Sequence, residues 1–148
     1  MNEEQELDDI DRNIITELRQ ENLTNSALAE RLGISEGTVR QRIKRLKEEG
    51  ILKIRAVINP DVLARQQLAN IAVTISESRL LDQKAQEIAR LENVLSVSIT
   101  SGRYDLMIEV LVDSNRGLVR FLTETLPNVE GITKTESFLM LRNYNKFV

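Results

Sequence analysis

The 148-residue sequence has no cysteine, no histidine and no tryptophan, and only 3% of its residues are aromatic. Without cysteine there is no disulfide, no thiolate nucleophile and no sulfur-ligated zinc or iron–sulfur site. Without histidine the commonest general base and the commonest metal ligand are both missing. No apolar run approaches the roughly 18 residues that a membrane helix needs. The start, MNEEQELDD, is acidic and has no apolar core, so it does not read as a secretory signal. These absences disfavour catalysis, call for no cofactor and no metal, and lead to the expectation of a soluble cytoplasmic protein. The scarcity of aromatics gives no hint of an aromatic ligand pocket.

A surplus of positive charge is missing too. The chain carries 20 Lys and Arg against 23 Asp and Glu, a net charge of -3 with a sequence pI of about 5.2. Nucleic-acid-binding domains are usually basic, so the total argues against such a partner. Its distribution does not. Residues 1–30 sum to -7, residues 31–55 to +5 and the remainder to -1. An acidic start hides a basic segment. The length suits one domain or two small ones, and 41% hydrophobic with 29% charged residues is ordinary for a globular chain.

The first third has the spacing of three short helices. Asp8 or Asp9 can cap a helix with Ile10, Ile14, Ile15 and Leu18 along one stripe. A second begins near Thr24–Ser26, turns Leu28, Ala29 and Leu32 inward and stops at Gly33, the residue type suited to a left-handed cap. Ser35 caps a third that runs to about Glu49 and ends at Gly50. Two helices joined by so tight a turn describe a helix-turn-helix, although helix–Gly–helix joints also occur in plain bundles, which the geometry alone leaves equally open. Residues Ile51–Ile58 are apolar and β-branched enough for a strand, and the chain from Asn59-Pro60 to about Leu68 reads as a linker.

Thereafter the period changes. Alternation at Ile71, Val73 and Ile75 predicts a strand; Leu81, Ala85, Ile88, Ala89 and Leu91 predict a helix; Leu95, Val97 and Ile99 predict a second strand. Residues Tyr104–Val112 form a third after Ser101-Gly102-Arg103. A helix with Leu118, Phe121, Leu122 and Leu126 is closed by Pro127, and a last strand runs from about Ile132 to Leu141. The order βαββαβ is a ferredoxin-like arrangement. Leu91-Glu92-Asn93-Val94 and Leu126-Pro127-Asn128-Val129 echo each other where the symmetry of that fold places them.

On the third helix Val39, Ile43 and Leu46 share the core face, leaving Gly37, Thr38, Arg40, Gln41, Lys44 and Arg45 outward or sideways. Six basic residues lie between Arg31 and Lys47 against one acid, Glu36. A merely solvated face mixes Lys with Glu at i, i+4; here acids return only at Glu48 and Glu49. In a helix-turn-helix the start of the second helix meets base edges, which puts Thr38, Arg40 and Gln41 near bases. Arg matches guanine and Gln adenine. Lys44 and Arg45 would reach phosphates, and Ser35 would both cap the helix and approach a phosphate. Arg42 lies to the side, where it equally suits bracing the helix against a neighbour.

Taken in order, LDDIDRNII, LAERLGIS with the Val39, Arg42, Ile43, Leu46 and Gly50-Ile51 pattern, TSGRYDLMIEV and VEGITKTES resemble the Lrp/AsnC family of feast/famine transcription regulators. The resemblance covers nearly the whole chain. It implies an α+β protein: an N-terminal, winged-helix-like helix-turn-helix domain over residues 1–55, a strand or linker over 56–68, and a C-terminal ferredoxin-like effector-binding and oligomerisation domain over 69–148. It implies double-stranded DNA as partner, dimers that assemble into octamers, and a free amino acid as effector at the Gly102, Arg103, Tyr104, Asp105 loop. On the residues alone the loop reads as a tight turn followed by a charged residue, with two strand threonines suited by β propensity; beside the resemblance its chemistry fits a ligand site. Gly102 allows close backbone approach, its amide and that of Arg103 can hold a carboxylate, Asp105 can pair with an α-ammonium, and the Thr133 and Thr135 hydroxyls complete a polar set. Two rival readings are an adaptor whose N-terminal domain binds protein, and an enzyme working through Asp105 and Glu109.

Overall fold

The computed structural model describes residues 7–148. Residues 1–6, which hold most of the acidic start read as lacking a secretory signal, lie outside the described residues. The chain forms two compact units, one ending at Ala56 and the next beginning at Val57. Among the described residues no helix is long and apolar enough to cross a membrane.

The first unit is helical: α1 (Asp9–Gln20), α2 (Asn25–Leu32) and α3 (Glu36–Glu48). Each begins on a short polar side chain that accepts from an otherwise orphaned amide. Asp8 accepts from the Asp11 amide at 2.9 Å while the Asp11 carboxylate reaches back to the Asp8 amide at 3.4 Å, a reciprocal capping box. Thr24 caps α2 through the Ala27 amide, and Ser35 caps α3 through the Thr38 amide. Gly33, at φ 66°, takes the left-handed conformation that stops α2 and turns the chain into α3. The apolar stripes meet in a small core of Ile14, Leu28, Ala29, Val39 and Ile43, with Leu46 also sealed from solvent. Full burial of such a side chain contributes about 1.5–3 kcal/mol. Arg31 of α2 clips the first two helices together, donating to Glu17 at 2.9 Å and Glu21 at 2.7 Å.

The strand expected at Ile51–Ile58 does not form, and in the 56–68 segment only Gln67 and Leu68 are in a strand, the first of the second unit. Residues 52–58 are irregular and mostly exposed. β-Branched composition suits a pleated ladder, but a ladder requires a neighbouring backbone, and only Ile58 finds one, exchanging two 3.0 Å hydrogen bonds with Val148. Asn59 caps a single 3-10 turn at Pro60–Val62.

The second unit is a four-stranded antiparallel sheet in the order β2-β3-β1-β4 with two helical connections: β1 (Gln67–Ile75), α4 (Leu81–Ala89), β2 (Val94–Ile99), β3 (Leu106–Val112), α5 (Asn115–Arg120) and β4 (Ile132–Leu139). This is the ferredoxin-like βαββαβ order. Strand β1 starts four residues ahead of the Ile71 expected from alternation, because Leu68 and Ala69 are buried as well. The expected second helix is α5 followed by one π turn and a 3-10 turn ending near Pro127. Alternate residues Ala69, Ile71, Val73 and Ile75 of β1 and Leu106, Ile108, Val110 and Val112 of β3 enter the core with Ile88, Phe121, Leu126 and Val129. The opposite face carries Asn70, Ala72 and Thr74 beside Met107 and Glu109, and Lys146 of the C-terminal segment reaches Glu109 at 2.6 Å.

Candidate functional site

The outward face of α3 is assembled by two devices, the Ser35 cap at its start and the apolar Val39, Ile43, Leu46 stripe that seats it. Ser35 Oγ lies 2.8 Å from Thr38 Oγ1 as well as accepting from the Thr38 amide, so the two hydroxyls form one polar cluster at the helix start. Gly37 is exposed, and a Cβ there would meet only Ser35 Oγ at an ordinary 3.8 Å. Gln41 is exposed. Arg40 pairs with Glu36 at 2.6 Å and Lys44 approaches Glu48 at 3.8 Å, both within the helix and both in solvent. Pairs of that kind contribute little and leave the cations available.

Arg42 and Arg45 behave differently. Arg42 Nη1 donates to Asp8 Oδ2 at 2.5 Å and to both Asp11 oxygens at 3.4 Å. Arg45 Nη2 donates to Asp11 Oδ2, and its Nε is buried without a partner among the described residues. Asp11 itself is 0% exposed. The Asp11 amide and Arg42 hold the Asp8 carboxyl below its ordinary range, and the bond to Asp8 raises Arg42 in turn. Of the seven residues expected at DNA, six are clear of such ties to another helix; Arg45 is bound to α1. A cleft of about 670 Å³ runs past Asp8, Gln41, Arg42, Lys44, Arg45 and Glu48.

In the second unit the β2–β3 connection is closed by paired backbone. The Thr100 amide donates to Asp105 O at 2.9 Å, the Asp105 amide donates to Val73 O at 2.9 Å, and the Thr100 hydroxyl donates to Tyr104 O. Asp105 Oδ2 accepts from the Ile75 amide at 2.8 Å. Gly102 does not sit at positive φ, and nothing lies within 4 Å of where its Cβ would be. The turn itself therefore does not demand glycine there; the position is open to approach from outside.

The six expected effector residues fall into two groups. Arg103 stacks on the Tyr104 ring at 5.4 Å, and Lys134 Nζ stands 5.8 Å from the same ring. The Tyr104 hydroxyl is buried without a partner among the described residues. Thr133 and Thr135 instead line a cleft of about 460 Å³ with Leu122, Leu126 and Pro127. Thr135 pairs with the core residue Val73, and Thr133 donates to Thr74 O at 3.2 Å. Lys134, absent from the sequence reading, joins the groups: it lines the cleft and faces the ring. An isolated strand lysine gives no signal of this, because the ring it meets comes from the far side of β1.

Two family matches account for most of the chain. Residues 7–53 match winged helix-turn-helix DNA-binding domains, and residues 68–147 match the Lrp/AsnC ligand binding domain. An uncharacterised HTH-type transcriptional regulator of Pyrococcus horikoshii is 34% identical over 137 residues, covering 91% of this chain and 86% of its own. The leucine-responsive regulatory protein of Klebsiella pneumoniae is 26% identical over 140 residues, covering 92% and 85%. Among solved structures, the feast or famine regulatory protein of M. tuberculosis complexed with L-methionine superposes with a TM-score of 0.70 at 29% identity, over 95% of this chain and 96% of that one.

Proposed function

Because the chain belongs to the Lrp/AsnC family of helix-turn-helix transcription regulators, we propose that it reads specific DNA sequences through α3 and responds to a free amino acid bound by its second unit. A DNA-binding regulator with a ligand-binding domain is the established part; the family's members are regulators, not enzymes. Of the residues the enzymatic alternative would use, Glu109 is paired with Lys146. Residues 1–55 are the DNA-binding part and residues 69–148 the effector and self-association part, at work in the cytoplasm where its DNA lies.

The observation that carries the DNA reading is the outer face of α3, with Ser35, Gly37, Thr38, Arg40, Gln41 and Lys44 held by no other helix. Thr38, Arg40 and Gln41 face bases; Ser35 and Lys44 face phosphates. A dimer sets two such helices about 34 Å apart, one turn of DNA, and dimers assemble further into an octamer.

For the effector, the L-methionine complex of the M. tuberculosis protein supports an amino acid. The free zwitterion has two charges to satisfy. The Gly102 and Arg103 amides and the Lys134 ammonium suit its carboxylate, while Asp105 and the hydroxyls of Thr133 and Thr135 suit its ammonium. Tyr104 forms the floor. The deciding experiment is calorimetric titration of the full chain with each of the twenty amino acids, with light scattering on the same samples. Heat from one or a few amino acids together with a change in assembly supports the reading; no heat from any of them overturns the effector.

A further inference from the structure

We infer that Asp11 is a positioning residue for DNA recognition: it holds Arg45 and Arg42 of α3 against α1, so that these guanidiniums set the pitch of the reading face and do not contact phosphate. The inference rests on the proposed DNA-binding role of α3.

Asp11 is a carboxylate with 0% exposure, and a buried charge survives only when paired and hydrogen-bonded. Its partners come from two places. The Asp8 amide approaches from the start of α1, and the two arginines from α3. Turning or lifting α3 relative to α1 would strand the charge, so the carboxylate tolerates one setting of the recognition helix. Asp8, which joins Arg42 at 2.5 Å, adds a second anion. Two aspartates and two arginines make the cluster neutral.

Arg45 is therefore committed. Its Nη2 is bonded to Asp11, its Nε is sealed from solvent, and its side chain is 42% exposed. Turning the whole guanidinium toward a phosphate would require abandoning the buried carboxylate. Lys44, one residue earlier and 74% exposed, has only Glu48 at 3.8 Å to leave. The basic block of residues 31–55 thus contains two kinds of cation. Arg40 and Lys44 present charge to DNA, while Arg42 and Arg45 have theirs cancelled by α1, which lies in the acidic stretch.

The test uses the full chain and two probes, a duplex selected by the wild-type protein from a random-sequence library and poly(dI-dC) as unselected DNA. Arg45→Gln should leave the dependence of log Kd on log salt as in wild type, whereas loss of a phosphate ligand lowers that slope by about 0.9. Asp11→Asn, folded by circular dichroism, should lose at least tenfold in preference for the selected duplex over poly(dI-dC). A slope reduced by about 0.9 in Arg45→Gln, or undiminished preference in folded Asp11→Asn, overturns the proposal. Thermal unfolding of Asp11→Asn, Arg45→Gln and their double variant measures the brace without DNA: coupling between the sites is expected, and strict additivity overturns the proposal even if the single variants lose affinity. A wild-type chain that selects no duplex, with coupling still present, would remove the DNA reading and not the brace.

Discussion

Asp105 accepts a hydrogen bond from the Ile75 amide at 2.8 Å, where the last residue of β1 would otherwise lack a partner on the β3 side. The β1–β3 register ends at Val73 and Leu106, so the aspartate side chain carries the ladder one step beyond its backbone pairs. A residue read from sequence as a ligand group thus also closes the sheet. Asp105→Ala leaves the Ile75 amide without this acceptor and should cost about 1–3 kcal/mol, since bonds to charged groups are the stronger class. Asp105→Asn, which retains an acceptor, should cost less than half of that. Urea unfolding of the two variants compares them directly, and equal losses would show that the bond to Ile75 is not the cause.

Gly33 makes a second test, because its requirement is conformational alone. It sits at φ 66° with nothing within 4 Å of a built Cβ. Gly33→Ala should cost about 1–2 kcal/mol from the left-handed backbone, and Gly33→Asn distinctly less. Chemical denaturation followed by helical circular dichroism reads both. An alanine variant as stable as wild type would mean that the α2–α3 turn relaxes to another conformation.

Gly33 shows why parts of the molecule were legible. Gly33 and Ser35 act within a few residues of themselves, so the turn and the cap of α3 could be read from neighbours in sequence. Alternation placed β1 because Ile71, Val73 and Ile75 share the buried face, and it found β2 as well, although Ile99 there is left half exposed. The 51–58 segment misled because β propensity belongs to a residue and a ladder to two backbones. The tie of Arg45 to Asp11 was not legible because the two lie 34 residues apart; the bracing alternative noted for Arg42 pointed the same way. Lys134 and Tyr104 meet across β1, which no spacing rule reveals.

Acid should weaken the first unit through Asp8. The Asp11 amide and Arg42 hold its carboxyl below the ordinary 3.8, so the ionised form is favoured in the folded state. A depressed carboxylate adds stability that is fully present above its unfolded pKa and disappears as pH falls through the folded one. Melting temperature should therefore fall with pH from about 3.8 downward. Asp8→Asn should flatten that part of the profile, and wild-type and variant curves that stay parallel down to pH 2.5 would refute the assignment.

Arg40 and Lys44 divide recognition between them if α3 reads DNA as proposed. Arg40→Ala should reduce discrimination against a changed base by about 1–3 kcal/mol, the range for a good bidentate contact. Lys44→Ala should weaken selected and unselected DNA alike and lower the salt slope by about 0.9. Both side chains are largely exposed, so neither change should move the unfolding midpoint appreciably. Fluorescence anisotropy titrations at several salt concentrations separate the two behaviours, and unchanged affinity in the double variant would rule out this face.

Gly102 and Thr135 test the effector site without disturbing the fold. Gly102 needs neither positive φ nor empty space for the turn itself, so Gly102→Ala should change stability by less than about 0.5 kcal/mol. Thr135 is exposed on β4 and donates no hydrogen bond among the described residues, so Thr135→Val removes a hydroxyl and keeps the β-branched shape. Each should weaken binding of the responsive amino acid, Thr135→Val by about 0.5–1.5 kcal/mol for one neutral hydrogen bond. A methyl group at position 102 acts by blocking approach to the loop amides. Calorimetry on the folded variants decides the point. Wild-type affinity in both would place the ligand elsewhere in the second unit, whereas weakened binding in both ties the loop and the Thr135 cleft to one site despite their separation by β1.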